Sequence, residues 1–288
     1  MTRFTRRAAL ALSALAVSAL ALTAANAASL EQIQQSGTIR IAVANEIPYG
    51  YVDPNGNPLG AGPDVAKALM DRLGIEKIEW VTTNFSSLIP GLQADRFDMV
   101  AAEMAILPDR CAQVLFSEPN TSYGEGLLVA EGNPKNIHAY DDFAGGSDFK
   151  VAILAGADQL EMMQKLGVPE ASIVTISANA DAISTVATGR ADAYAATSLT
   201  ASGLAKQGRG VEVAAGFTDP VIDGEEVRSW GGFTFASGNE ALREAVNGAL
   251  AEFKQTPEWT GILTGYGFTE ADVEGSSAHT TDELCAAD

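Results

Sequence analysis

Cysteine and histidine are scarce in this chain of 288 residues, with two of each. The pairs Cys111/Cys285 and His138/His279 fit no metal-ligand spacing, so no metal centre is expected. No glycine-rich phosphate loop stands at a strand-to-helix junction, and no cofactor is expected. Basic side chains are also few. Lys and Arg number 18 against 37 Asp and Glu, a formal charge of −19, the wrong sign for the phosphate neutralisation that nucleic-acid binding requires. Beyond the first 27 residues no apolar run approaches the ~18 needed to span a bilayer.

The exception is the N-terminus. "MTRFTRR" carries Arg3, Arg6 and Arg7, "AALALSALAVSALAL" is a short apolar run rich in small residues, and "ANA" ends at Ala27. This is the order of a secretory signal peptide, cut after Ala27. Paired arginines resemble a twin-arginine signal, but the rest of that motif is absent, and the ordinary secretory route is expected. No cysteine follows the apolar run to carry a lipid anchor. The exported chain, 288 residues less 27, has room for two lobes. It carries 15 basic side chains against 37 acidic ones, an acidity that keeps a surface solvated. In an oxidising compartment Cys111 and Cys285 are read as a disulfide, which ties the tail to the first third of the chain.

The hydrophobic pattern is that of an α/β protein. "SLEQ" has capping-box spacing at Ser29 and Gln32. "TIRIAVA", "IEKIEWVTT" and "FDMVAAEM" read as strands separated by the helices "PDVAKALMDRL" and "SSLIPGLQAD", an order that predicts a mostly parallel sheet. A second series, "KVAILAG", "SIVTIS", "ADAYAAT" and "VEVAAG", alternates with the helical stretches "ADQLEMMQKLG" and "NADAISTVATG". Extended crossings are predicted near 126–131 and 231–236. Lobe one is then 28–126 plus 232–288, and lobe two, inserted, is 127–231. Two lobes with two crossings form a hinge, and open sheets bind ligands at the carboxyl ends of their strands.

Three segments of lobe one end there. "NEIPYGY" offers Glu46 and Tyr49, a negative charge beside an electron-rich ring and so a place for a cation. Phe85 follows the second strand. Arg110 follows the third, where its planar fork can hold a carboxylate bidentately. Each has a plainer reading: Arg110 as a partner for Asp109 or Glu118 or as a surface charge, the rings as core packing, Glu46 as a solvated loop acid.

"RIAVANEIPYGYVDPNGNPLGAGPDVAKAL", "IPGLQADRFDMVAAEM", "LPDRCAQVLFSEP" and the late "YGF" resemble the solute-binding proteins of ABC importers, in the polar-amino-acid branch. "ANEIPY", "DRCA" and "ELCAAD" resemble the ectoine- and hydroxyectoine-binding members. The resemblance implies the type II periplasmic-binding-protein fold, a location in the periplasm, a permease of transmembrane subunits as partner, a monomer, and no catalysis. It implies that Arg110 grips a ligand carboxylate while Glu46, Tyr49 and Phe85 hold the cationic end of a small zwitterion. The departures fall in the second lobe and at one wall. Thr197 stands where amino-acid binders carry an aspartate for the α-ammonium, and Gly156, Ala157 and Asp158 replace their "G-T-T" turn, with Asp158 a partial substitute. Ala105 replaces the third wall of an aromatic box, a gap that Trp230 is expected to fill unless the ligand is bulkier. A polar or cationic amino acid or a betaine is the alternative ligand. A small-carboxylate enzyme on the same scaffold is the alternative class, with Glu46 as its one candidate acid or base.

Overall fold

A computed structural model describes residues 28–286; the expected signal peptide lies outside them. Its first helix, Leu30–Ser36, starts with the capping box read from "SLEQ": the Ser29 side chain accepts from Gln32 N and the Gln32 side chain from Ser29 N. The next, Ala61–Arg72, begins after Gly60, whose φ of +123° and close approach to the Pro48 carbonyl admit no side chain. This helix turns Val65, Ala66, Leu69 and Met70 inward, against Ile39 and Ile41 of the first strand. Burying each of these larger apolar side chains stabilises the lobe by about 1.5–3 kcal/mol before entropy is counted.

The first sheet runs in the order Lys77–Thr82, Thr38–Val43, Met99–Ala105, Ser229–Phe235, Leu115–Phe116, with Thr121–Tyr123 also paired to Ser229–Phe235. The first three strands are parallel, as the βαβαβ pattern predicts, and Ser229–Phe235 closes against Met99–Ala105 antiparallel. Alternate residues feed two separate cores. Ile39, Ile41, Met99 and Ala101 face the helices Ala61–Arg72 and Glu240–Phe253, while Ala42, Val100, Ala102 and Met104 face Leu88 and Leu92 on the other side.

The second sheet runs Ile173–Ile176, Val151–Leu154, Ala193–Thr197, Glu125–Ala130, Val211–Val213. Its first three strands are parallel; the other two join antiparallel. "GLLVAEGNP" is therefore more than the crossing the sequence indicates: Glu125–Ala130 is an interior strand, buried at every position but the last. The helix Ser198–Gln207, absent from the sequence reading, starts where Thr197 Oγ1 accepts from Thr200 N. Its inward face is only Thr200, Ala201 and Leu204, too sparse a stripe to announce a helix.

This is the two-lobed type II fold with two crossings. The chain leaves the first sheet after Tyr123 and enters the second at Glu125; it returns before Ser229. We propose lobe boundaries at residue 124 and at 227–228, a few residues ahead of those read from the sequence. Cys111 and Cys285 are disulfide-bonded, with Cα atoms 5.7 Å apart. The bond pins the tail helix Thr281–Cys285 to the short helix Pro108–Cys111, the one that carries Arg110. Among the described residues no helix is long and apolar enough to cross a membrane.

Candidate functional site

Because the strands ending at Val43, Thr82 and Ala105 are parallel neighbours, the loops after them open on one edge of lobe one. The strands ending at Leu154 and Thr197 do the same for lobe two. The facing edges meet at a cavity lined by Glu46, Tyr49, Phe85, Glu103, Arg110, Tyr123 and Asp158 among others.

Arg110 is buried, and no ion pair joins it to Asp109 or Glu118 among the described residues. Its Nη1 donates to the Ala105 carbonyl and its Nη2 to the Gly156 carbonyl, each at 2.9 Å. The guanidinium carbon lies 5.6 Å from the Phe85 ring centroid. Two backbone oxygens thus orient the fork, and three of its five N–H donors remain for another partner.

Glu46 sits in a tight turn whose ends exchange backbone hydrogen bonds with Gly50 at 2.8 Å; the Ile47–Pro48 peptide inside it is cis. Its Oε1 accepts from the Thr200 hydroxyl of lobe two at 2.8 Å. Burial pushes this carboxyl up to about 7; Asp158 adds to the rise, while hydrogen bonds from Thr200 and Asn179 and the Arg110 charge oppose it. Tyr49 donates its hydroxyl to Thr197 Oγ1 at 2.9 Å and packs its ring 5.1 Å from that of Tyr123. The expected residues Glu46, Tyr49, Phe85, Arg110, Asp158 and Thr197 all line the cavity.

Two expectations need correction. Trp230 does not fill the gap at Ala105. The register partner of Ala105 is Gly231, so the indole, one residue away, projects to the other side; it donates Nε1 to the Gly275 carbonyl at 2.9 Å and lies 4.4 Å from the His279 ring. Gly156 is not part of the cavity lining either. Its contribution is the carbonyl that holds Arg110, from a backbone with φ +84° where an added Cβ would meet Ser86 Cα of lobe one at 3.1 Å.

The sequence reading missed Tyr123, Tyr194 and Gln159, which also line the cavity. Tyr123 adds a further ring to the lining, beside that of Tyr49. Its hydroxyl donates to the Glu103 carbonyl at 2.9 Å, and Tyr194 donates to Asn179 Oδ1. Gln159 donates to Glu125 Oε2 at 2.8 Å. Glu125 also accepts from Tyr140 at 2.9 Å, its Oε1 has no partner among the described residues, and burial, then the Asp158 charge, push it well above the usual carboxylate range. The one usable signal was a lone large aromatic in the small-residue strand "ADAYAAT".

The lining includes a further acid that the sequence reading missed, Glu103. Glu103 takes a left-handed φ of +49° inside a strand, which costs of order 1–3 kcal/mol. Its carboxyl is 2 % exposed and accepts from Asn120 Nδ2 at 2.8 Å and Thr121 Oγ1 at 2.9 Å.

Comparison with known proteins agrees with this geometry. Residues 39–270 match the model of bacterial extracellular solute-binding proteins, family 3. A probable amino-acid ABC transporter periplasmic-binding protein, y4tE, of Sinorhizobium fredii is 55 % identical over 264 residues, 91 % of this chain and 87 % of that protein. The crystal structure of EhuB in complex with hydroxyectoine superposes with a TM-score of 0.81 at 32 % identity, covering 90 % of this chain and 98 % of EhuB. The ancestral amino acid-binding protein AncCDT-1, a precursor of cyclohexadienyl dehydratase, gives a TM-score of 0.72 at 31 % identity, covering 82 % and 98 % of the two chains. With two hinged α/β lobes around a buried polar cavity, and this match over most of its length, the chain belongs to the bacterial extracellular solute-binding proteins of family 3.

Proposed function

We propose that the protein is a periplasmic binding protein that closes on ectoine or hydroxyectoine and delivers it to an ABC permease as a monomer. The observation that carries this reading is the make-up of the cavity: one oriented guanidinium with donors to spare, the Phe85 ring 5.6 Å from it, and Tyr49, Tyr123 and the Glu46 carboxyl in the same lining. Arg110 takes the ligand carboxylate in a charge-assisted pair. The rings accept a delocalised, weakly hydrated cation, each contributing ~0.5–2 kcal/mol, and Glu46 takes its N–H groups. The likeness to EhuB bound to hydroxyectoine supports this choice. Lobe-one and lobe-two contacts are complete together only in the closed form, so the ligand shifts the population toward that form and the permease reads it.

A second reading, a polar or cationic amino acid, is favoured by Asp158 in the cavity wall and by the name of the Sinorhizobium relative. We place the protein with the binders rather than with enzymes, in line with these relatives.

Calorimetry on the protein with ectoine, hydroxyectoine, arginine and glutamine tests the assignment. Heat with an ectoine at micromolar concentration is expected. Arg110→Ala is expected to weaken binding at least tenfold, because the carboxylate loses a buried charged partner. Binding of an amino acid alone selects the second reading, and unchanged affinity in Arg110→Ala removes that residue from the site.

A further inference from the structure

We infer that Thr200, a lobe-two residue outside the cavity, is a positioning residue that ties the grip on the ligand to closure of the lobes, by holding the Glu46 carboxyl across the gap between them. This role rests on the cleft being the ligand site, as proposed above; the contact itself joins protein to protein.

The first turn of the helix Ser198–Gln207 supplies the contact. Its N-cap, Thr197, accepts from Thr200 N at 3.1 Å and from the Tyr49 hydroxyl at 2.9 Å. Three residues on, a capping box would carry Glu or Gln turned back onto its own helix. This chain has Thr200 there, and its hydroxyl goes to the other lobe. It lies 2.8 Å from Glu46 Oε1 and 3.3 Å from the Ile47 carbonyl. Leu199, the residue before it, packs against the lobe-one core. Gly203, one turn later, lets the helix approach until an added Cβ would stand 3.2 Å from Ile47 Cγ2. Thr200 is buried, yet it is absent from the cavity lining; it borders a separate pocket with Ile47 and Asn179.

Glu46 thus belongs to both regions: the residue lines the cavity while its carboxyl takes a partner that the cavity lining does not contain. Two bonds to Gly50 fix its backbone within lobe one. The setting of its carboxyl depends on lobe two, through Thr200. A threonine hydroxyl donates to a carboxylate; from a protonated carboxyl it accepts, turning its own proton to Ile47. The contact therefore outlasts a change in the charge of Glu46. Separating the lobes removes Thr200 and frees the carboxyl to turn; closing them restores the group that receives the cationic end of the ligand. Such a bond favours the closed form before any ligand is present. Since only the closed form completes the site, losing the bond lowers the closed population and the affinity together.

Two measurements test this. The first needs no ligand. A Cβ added to Gly203 lies 3.8 Å from Ile47 Cβ, the usual separation in a disulfide. In Ile47→Cys with Gly203→Cys, mild oxidation therefore traps closed molecules at a rate that follows their population, with the native Cys111–Cys285 bond left in place. Adding Thr200→Val is expected to slow trapping roughly fivefold, as the loss of one hydrogen bond requires, and adding Thr200→Ser instead to bring the rate back to within about twofold. An unchanged rate with Thr200→Val, or no trapping at all in the two-cysteine protein, overturns the inference. The second is stopped-flow binding of hydroxyectoine and of arginine to wild type, Thr200→Val and Thr200→Ser. Whichever compound binds reports. Thr200→Val is expected to raise the dissociation rate roughly fivefold and to leave the association rate within about twofold, because the contact forms after the ligand has entered; Thr200→Ser is expected to match wild type. An unchanged dissociation rate in Thr200→Val, or a Thr200→Ser protein as weak as it, overturns the inference. If neither compound binds, the ligand assignment falls and the trapping rates alone decide the role of Thr200.

Discussion

Replacing Glu103 with Gln isolates one buried acid and converts its environment into a slope of stability against pH. The residue is buried, its carboxyl accepts two hydrogen bonds from Asn120 and Thr121, and burial is the main cause of its rise to about 7, with those hydrogen bonds and the Lys254 charge acting in the opposite direction. In the unfolded chain the same group titrates at the ordinary 4.5. The folded state therefore binds the proton more tightly. Its contribution is fully present below the unfolded value and is lost as pH rises toward and through about 7. At ~1.4 kcal/mol per pKa unit, the loss between pH 5 and pH 8 amounts to roughly 2–3 kcal/mol. Gln reproduces the protonated acid: its oxygen accepts from Asn120 and its amide donates to the Thr121 hydroxyl. Urea unfolding of both proteins at pH 5, 6, 7 and 8 provides the assay. The stability of wild type minus that of Glu103→Gln is expected to fall by that amount across the range, and the subtraction cancels Glu46 and the other titrating groups. A constant difference, or one that grows with pH, refutes the reasoning.

Two further outcomes are expected. A Cβ added to Gly203, on the lobe-two helix Ser198–Gln207, would meet Ile47 Cγ2 of lobe one at 3.2 Å; Gly203→Leu is expected to wedge the lobes apart, raising the radius of gyration of ligand-saturated protein in small-angle scattering and weakening binding roughly tenfold, about 1.4 kcal/mol. Unchanged affinity would show that this contact does not limit closure. Removing the disulfide with Cys111→Ser and Cys285→Ser together is expected to lower unfolding stability by roughly 2–5 kcal/mol, since the bond closes a loop spanning most of the chain, and an unaltered denaturation midpoint would contradict it.

The parts of the site that the sequence revealed are those set by chain direction. Parallel strands must end at the same edge, so Glu46, Tyr49, Phe85 and Arg110 were bound to meet once three strands and two helices had been read. What escaped depends on side-chain direction and on departures from regular alternation. Trp230 and Gly231 are one residue apart on a single strand, yet only the glycine opposes Ala105, and no periodic pattern names which of the two does. Glu103 breaks the alternation of its own strand with a left-handed residue, a feature that hydrophobic spacing does not encode. Tyr123 became a cavity wall because it ends the last strand before the first crossing, where short pairings leave little pattern to read. The interior strand Glu125–Ala130 looked like a connector for the same reason that it is buried: a short apolar run without alternation does not reveal its partners.

The way the two sheets share the chain also sets an order of assembly. Every strand of the second sheet comes from one unbroken stretch, Glu125 to Val213, whereas the first sheet waits for Ser229–Phe235 to fill its interior beside Met99–Ala105. As the polypeptide emerges from its N-terminus, the half that begins first must finish last, and until then its apolar strand edge stands open to other chains. A copy truncated ahead of residue 229 would keep a complete second half and an unfinished first one, a species prone to aggregate rather than a smaller version of the protein.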